Sequence, residues 1–292
     1  MMEFLNTPFT ETEIYGLEIV IGDWIYVVSM LFLGFELIKL FARKALSWNI
    51  IGDAIANFLT LVGMIGISLA IFSFYLGIFY LTADYLEVVQ LPINGWTILA
   101  ALILADIAYY WEHRFMHRVG FGWATHAVHH SSPYFNISVA YRFGPLDSII
   151  PIFFHLPLVL MGLNPILILF AEAMVQGYQT LLHTETIGKF PRPIEYLMNT
   201  PSHHRVHHGS NPQYLDKNYG GIFIIWDRMF GTFEEEKEKV VYGVTEPINS
   251  VNPLVVFFCG FTWLAKRMWN APGLGNKIKA FFLPPDWEPK KD

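Results

Sequence analysis

From Ala54 to Thr82 the chain carries no formal charge. A helix that spans a bilayer needs roughly 20 mostly apolar residues, and this run exceeds that. Two further candidates flank it. One runs from about Trp24 to Phe41; the other starts near Trp96 and keeps its helical pattern past Asp106 to His117. From Ser148 to Leu182 the only formal charge is Glu172. As one helix that stretch would be about 52 Å long, too long for a single span. Gly162-Leu163-Asn164-Pro165 breaks it, so it reads as a tight helical hairpin. The later run Leu254 to Ala265 is too short to span and ends at Lys266 and Arg267, which fits an interfacial helix. The fold class expected is an all-α integral membrane protein. It has four to five transmembrane helices, the hairpin included, and a His-rich di-metal cap on the cytoplasmic side.

Composition agrees. Of 292 residues 53% are hydrophobic and 15% charged, against about 25% charged in soluble domains. One cysteine, Cys259, excludes a disulfide framework. A net charge of −6 argues against a nucleic-acid binder. The first 23 residues hold five acids and no Lys or Arg, unlike a secretory signal. All 19 basic residues fall at Lys39 to Lys44, Arg114 to Arg118, Arg142, and from Lys189 onward. Basic residues mark the inner side of a membrane. The N-terminus is therefore expected outside, and the histidines inside. One hydroxylase domain over 1–292 follows: membrane helices in 24–112, two His clusters in 113–145, the hairpin in 146–182, a third cluster and cap in 183–250, and an interfacial helix and tail in 251–292.

Eight of the eleven histidines fall in three clusters. His113 and His117 form an HxxxH. His126, His129 and His130 form an HxxHH, and His204, His207 and His208 form a second. Steps of three and four place side chains on one helix face, and neutral imidazole is the commonest metal ligand. A single such histidine is ordinarily a core or surface residue; three clusters at helical spacing are not. The segment between His130 and His204 enters the membrane and returns, so all three clusters share a side. Eight imidazoles exceed the four ligands of one structural zinc and suit two ions. A nitrogen-rich site is compatible with iron, zinc, copper or nickel.

Two polar stripes lead toward these clusters. Asp106, Tyr110, His113 and His117 lie at steps of 4, 3 and 4; Glu172, Gln176, Gln179 and His183 repeat those steps. Polar groups in membrane helices tie helices together or face a functional cavity. On the second reading His183 is a ninth ligand, and Asp106 and Glu172 are pocket groups. His155 is expected to pack, and His203, about 100° from His204 on a helix, to point away from the ligands. Thr200-Pro201 fits an N-cap followed by Pro at N1.

The ordered motifs HxxxH, HxxHH and HxxHH resemble those of the fatty acid hydroxylase superfamily, which includes the sterol desaturases and other membrane di-iron oxygenases. The segment NTPSHHRVHHGSNPQYLDKNYGGIFIIWDRMFGTFEEEKEKVVYG, from Asn199 to Gly243, looks like the alkylglycerol monooxygenases and their bacterial relatives. The resemblance covers roughly Trp96 to Pro247. It implies a non-haem di-iron centre held by the eight clustered histidines, with His183 beside them and Glu185 as a further site residue. It also implies O2 as co-substrate and electrons from a donor protein or a pterin such as tetrahydrobiopterin. Zinc can replace iron in isolated protein, since affinity alone favours it. The activity implied is hydroxylation of a bilayer lipid, with ether cleavage as one outcome and sterol or acyl desaturation as an alternative. A divalent-metal transporter or metal-binding membrane scaffold is the contrasting class; a transporter's ligands belong near the bilayer midplane.

Overall fold

A computed structural model describes residues 5–289. The first four residues, and the last three of the expected tail, lie outside the described residues. Among the described residues the fold is built by α1 (Glu11–Ala42), α2 (Trp48–Tyr85), α3 (Gly95–Arg118), α4 (Gly120–His130), α5 (Ile150–Leu160), α6 (Pro165–Thr180), α7 (Arg192–Leu197), α8 (Pro201–His207), α9 (Ile225–Phe230), α10 (Pro253–Phe257), α11 (Cys259–Asn270) and α12 (Gly273–Phe282). A 3-10 turn spans Ile137–Tyr141. Among the described residues the only β-pairing is two isolated bridges, Met198 to Phe223 and Gly209 to Tyr242.

The all-α class and the His-rich cap stand; four to five membrane spans do not. Among the described residues two helices are long and apolar enough to cross a membrane, Glu11–Ala42 and the part of α2 from Trp48 to Ile71. α3 is long enough, at about 36 Å, but its second half carries buried Asp106, Glu112, His113 and His117. That half is cap rather than span. α5 and α6 measure about 16 and 24 Å, short of the roughly 30 Å hydrocarbon core. The hairpin turn itself is where the sequence places it: α5 ends at Leu160, α6 begins at Pro165, and Gly162 adopts φ +88°. Two crossings return a chain to the side it started from. An outside N-terminus with inside histidines therefore does not follow from two.

Helix starts obey local chemistry. Thr10 and Glu13 form a reciprocal capping box at α1. Asn94 caps α3 by accepting from the N–H groups of Trp96 and Thr97. Asn164 accepts from Ile166 N–H ahead of Pro165. The main core lies where α2, α3, α5 and α6 meet, around Phe79, Ala101, Ala105, Val159, Leu167 and Ala171. Alanines four apart on α3 let α6 approach closely. Much of α1 and α2 points outward instead: Leu31 is 71% and Leu69 76% exposed. That apolar area suits lipid contact better than water.

The expected interfacial helix is split into α10 and α11, with α12 packed beside them. α11 lies directly on α4. A Cβ at Gly260 would come within 2.1 Å of Ala124 O, so only glycine permits that approach.

Candidate metal centre

Each histidine motif is delivered by a different element. α3 presents His113 and His117 near its C-terminal end, and α4 presents His126, His129 and His130. α8 presents His204 and His207, with His208 at its C-cap. Thr200 is the N-cap of α8, ahead of Pro201, but its hydroxyl makes no capping bond; it lies 3.3 Å from His203 Nδ1. His183 does not continue the α6 helix, which ends at Thr180. A turn swings it round, and its Nδ1 donates to Gln179 O at 2.9 Å.

Nine histidines converge in two groups. His113, His117, His126, His130 and His207 form the first; His129, His183, His204 and His208 form the second. Within each group one nitrogen per residue lies within 4.8 Å of all the others. The pattern has a helical logic. The i,i+4 pairs stay together: 113 with 117, 126 with 130, and 204 with 208. The i+3 residue of each HxxHH crosses to the other group: His129 to the second and His207 to the first.

The rings are held by their outer nitrogens. His113 Nδ1 donates to Tyr219 O at 2.9 Å, His207 Nδ1 to Lys217 O at 3.0 Å, and His129 Nδ1 to Arg142 O at 3.1 Å. A donor at Nδ1 leaves Nε2 as a bare lone pair in neutral imidazole. His129 and His183 both have Nδ1 so committed, yet their Nε2 atoms face each other at 3.2 Å. Two lone pairs at that distance repel unless a cation lies between or beside them. Nε2 of His117, His207 and His208 is buried with no hydrogen-bond partner. These orphaned nitrogens point into the groups and fit metal ions. Burial, and after it mutual repulsion, pulls His113, His126, His130, His204, His207 and His208 well below the ordinary imidazole range. Burial brings His129 down to about 4. The rings are thus neutral, the form that binds metal.

A further layer fixes the carbonyls. Asp227 accepts from the N–H groups of Tyr219 and Gly220 and from the Thr232 hydroxyl. Asp106 accepts from Ile222 N–H, Phe223 N–H and the Trp226 indole. Burial pushes its carboxyl up to about 6. The loop lies against α3 there: a Cβ at Gly221 would stand 2.5 Å from Asp106 Oδ1. On the second group's side, Arg142 is fully buried and bonds Asp53, Asn57, Ser131 and Val128 O. The sequence marks Arg142 only as a basic residue. The one signal of its role is an isolated charge shortly after a metal-binding motif.

The three carboxylates expected at the site lie outside both groups. Asp106 holds the 219–226 loop. Glu172 accepts from Tyr75 OH at 2.6 Å, joining α6 to α2. Glu185 is exposed and accepts from Tyr242 OH at 3.1 Å. Tyr242 in turn stacks on Phe135, whose ring lies 5.0 Å from that of His208. His203 pairs with Glu195 at 2.9 Å and points away from both groups. His155 is buried beside Glu112. Glu112 itself escaped the sequence reading, because it falls off the Asp106–His117 stripe. It is buried, and burial, followed by Glu172 and Asp147, pushes its carboxyl well above the usual range.

A cavity of about 80 Å³ adjoins the centre. His126 of the first group and His129 and His183 of the second reach its wall, as do Glu112, Gln176 and Gln179.

The family model described as fatty acid hydroxylase matches residues 98–232. Alkylglycerol monooxygenase of Danio rerio is 43% identical over 209 residues, which is 71% of this chain and 46% of that protein. The Homo sapiens protein of that name is 43% identical over 198 residues, 68% and 44% of the two chains. The Xenopus tropicalis one is 40% identical over 215 residues, 73% and 47%. The chain thus spans about half the length of the curated relatives it matches. No solved structure matches it significantly.

Proposed function

The chain belongs to the fatty acid hydroxylase/sterol desaturase superfamily, and we propose that it is a membrane-bound di-iron monooxygenase that hydroxylates a lipid. The reading extends to an ether lipid, cleaved after hydroxylation beside its oxygen, because the relatives are alkylglycerol monooxygenases. The observation that carries it is the division of nine histidines, eight of them buried, into five and four, with lone pairs of His129 and His183 turned on each other.

Two irons would supply O2 activation and oxidation of an unreactive C–H bond. The chain's own residues do the rest. His113, His117, His126, His130 and His207 would hold one ion, and His129, His183, His204 and His208 the other. Carbonyls of Tyr219, Lys217, Arg142 and Gln179 aim the rings and fix their tautomers. Burial of both groups excludes water. The 80 Å³ cavity admits the reacting end of the substrate beside His126, His129 and His183. Electrons would come from a donor protein or a pterin. The basic residues from Lys189 onward support a cytoplasmic position for the centre.

The histidines sit on the cap elements rather than on the two long apolar helices, which speaks against metal transport through the bilayer. The test pairs two measurements. Elemental analysis of purified protein should find two metal ions per chain. Lipid mass spectrometry of cells with and without the gene should find a +16 product or a lost ether chain. At most one metal at full occupancy would sink the di-iron reading; two metals with unchanged lipids would sink the lipid reading.

A further inference from the structure

The stripe on α3 that carries His113 and His117 also carries Tyr110, which the metal reading leaves unused. Tyr110 is fully buried and stands between the first histidine group and the surface. Three aromatic rings make a line there. Tyr219 lies against the centre, its ring 5.2 Å from that of His117 and 5.8 Å from that of His113. Tyr110 follows at 6.1 Å from Tyr219, and Trp111 at 5.4 Å from Tyr110. Trp111 is 43% exposed, so the line ends at the surface.

Hydrogen bonding separates the two tyrosines. The Tyr219 hydroxyl is buried with no partner. Tyr110 has a complete path. Its oxygen accepts from Arg114 at 3.1 Å, and its hydroxyl lies 2.9 Å from Thr232 Oγ1. Thr232 spends its own proton on Asp227 Oδ1 at 2.6 Å, so Tyr110 donates and Thr232 accepts. The path ends on a buried carboxyl that burial pushes above its usual range. A phenol gives up an electron readily only when its proton can leave as well. Tyr219 has nowhere to send that proton; Tyr110 has. Arg114 sharpens the contrast, because its guanidinium also sits over the Trp111 ring at 5.5 Å. That cation disfavours positive charge on either ring. A neutral tyrosyl at Tyr110 is then the oxidised form this line can hold.

We propose that Tyr110 is a redox-active tyrosine that gives one electron to the oxidised metal centre when no substrate is seated. This goes beyond the di-iron oxygenase reading and rests on it. An oxidant without a target attacks the imidazoles that surround it, and a site must suppress such competing reactions. One electron leaves Tyr110 and passes through the Tyr219 ring to the centre, which is reduced by one electron. The phenolic proton moves to Thr232 Oγ1 while Thr232 hands its own to Asp227. The products are a neutral tyrosyl and a protonated Asp227. A thiol or ascorbate-type reductant in solvent returns one electron at Trp111, and Asp227 returns the proton.

The test uses the full chain loaded with ferrous iron, its iron content measured, and treated with hydrogen peroxide in the absence of lipid. Freeze-quenched electron paramagnetic resonance should show a neutral tyrosyl in wild type and none in zinc-loaded protein. Tyr110→Phe should lose the signal at unchanged iron content, and Tyr219→Phe should keep it. Thr232→Val removes the proton acceptor and should also lose it; this variant replaces Tyr110→Phe if that one fails to fold. Peptide mass spectrometry should find more oxidised histidine in both of these variants than in wild type. The proposal is overturned by no tyrosyl in iron-loaded wild type, by a signal in zinc-loaded protein, or by a signal that survives in Tyr110→Phe or Thr232→Val. Histidine oxidation no higher in the variants overturns it too. Lipid turnover is measured on the same preparations. A tyrosyl at Tyr110 without a lipid product upholds the relay and refutes the lipid reading; a lipid product without a tyrosyl does the reverse.

Discussion

The two histidine groups are built alike and placed differently. The first has five members, the second four. The first is held from outside the bundle: His113 and His207 by carbonyls of the 217–219 loop, and His117 with Nδ1 3.7 Å from Asp216. The second is held from within, by the carbonyls of Arg142 and Gln179. Two of its four members, His129 and His183, line the cavity, against only His126 of the first. A metal site with fewer protein ligands keeps positions open for other ligands. The difference teaches that similar motifs can build one group richer in histidine and one more open to the cavity; on the proposed reading the four-membered group is the one that would meet a substrate.

The sharpest way to break this asymmetry is to remove one ligand from each side. His183→Ala leaves three imidazoles in the second group and should abolish turnover, with metal falling from two ions to about one per chain. His117→Ala leaves four in the first and should keep two ions at reduced affinity. Elemental analysis of both variants decides: equal metal loss from each removes the distinction.

The supports come next in size. Arg142→Met strands the Asp53 carboxylate in the interior and should cost about 3–5 kcal/mol, read by denaturant unfolding in detergent. Asp227→Ala frees the 219–220 loop and should weaken metal binding at the first group about 10–100-fold. If Arg142→Met instead depletes the first group, the assignment of supports is reversed.

Acid acts on both groups. An imidazole held at about 4 in the folded chain and near 6.5 when unfolded binds more protons in the unfolded state. Stability of the metal-free protein should therefore be full above about pH 6.5 and decline as pH falls toward about 4. Metal-loaded protein should begin that decline at lower pH, because bound metal competes with protons. Thermal unfolding across this window, with and without chelator, measures it; a flat profile contradicts buried neutral imidazoles.

The smallest effect is expected at Glu172→Gln. Tyr75 can still donate to the amide oxygen, so the change should cost less than about 1.5 kcal/mol and leave metal content intact. A large loss of turnover would return Glu172 to the cavity side of the comparison.

What the sequence determined by itself is local. The histidine spacings, the Asn164 cap ahead of Pro165, Pro201 at the first position of α8, the break at Gly162 and the inward Asp106 are set by side-chain chemistry within a few residues. That kind of information is complete in a sequence window. His183 as a companion of the clusters was legible from its stripe, although a turn rather than a helix delivers it. The number of membrane spans was not legible. Apolar runs measure hydropathy, and α3, α5 and α6 spend theirs on one another in the core around Ala105 and Ala171. Only the tertiary structure decided how the histidines divide. Each HxxHH puts three imidazoles on one helix face, and nothing in that face says which nitrogen goes to which ion. The packing of α8 against both α3 and α4 does, because it brings His207 to His113 and His208 to His129. Glu112 became visible for the same reason: its burial is a property of what packs around it, and packing is written by elements far apart in the chain.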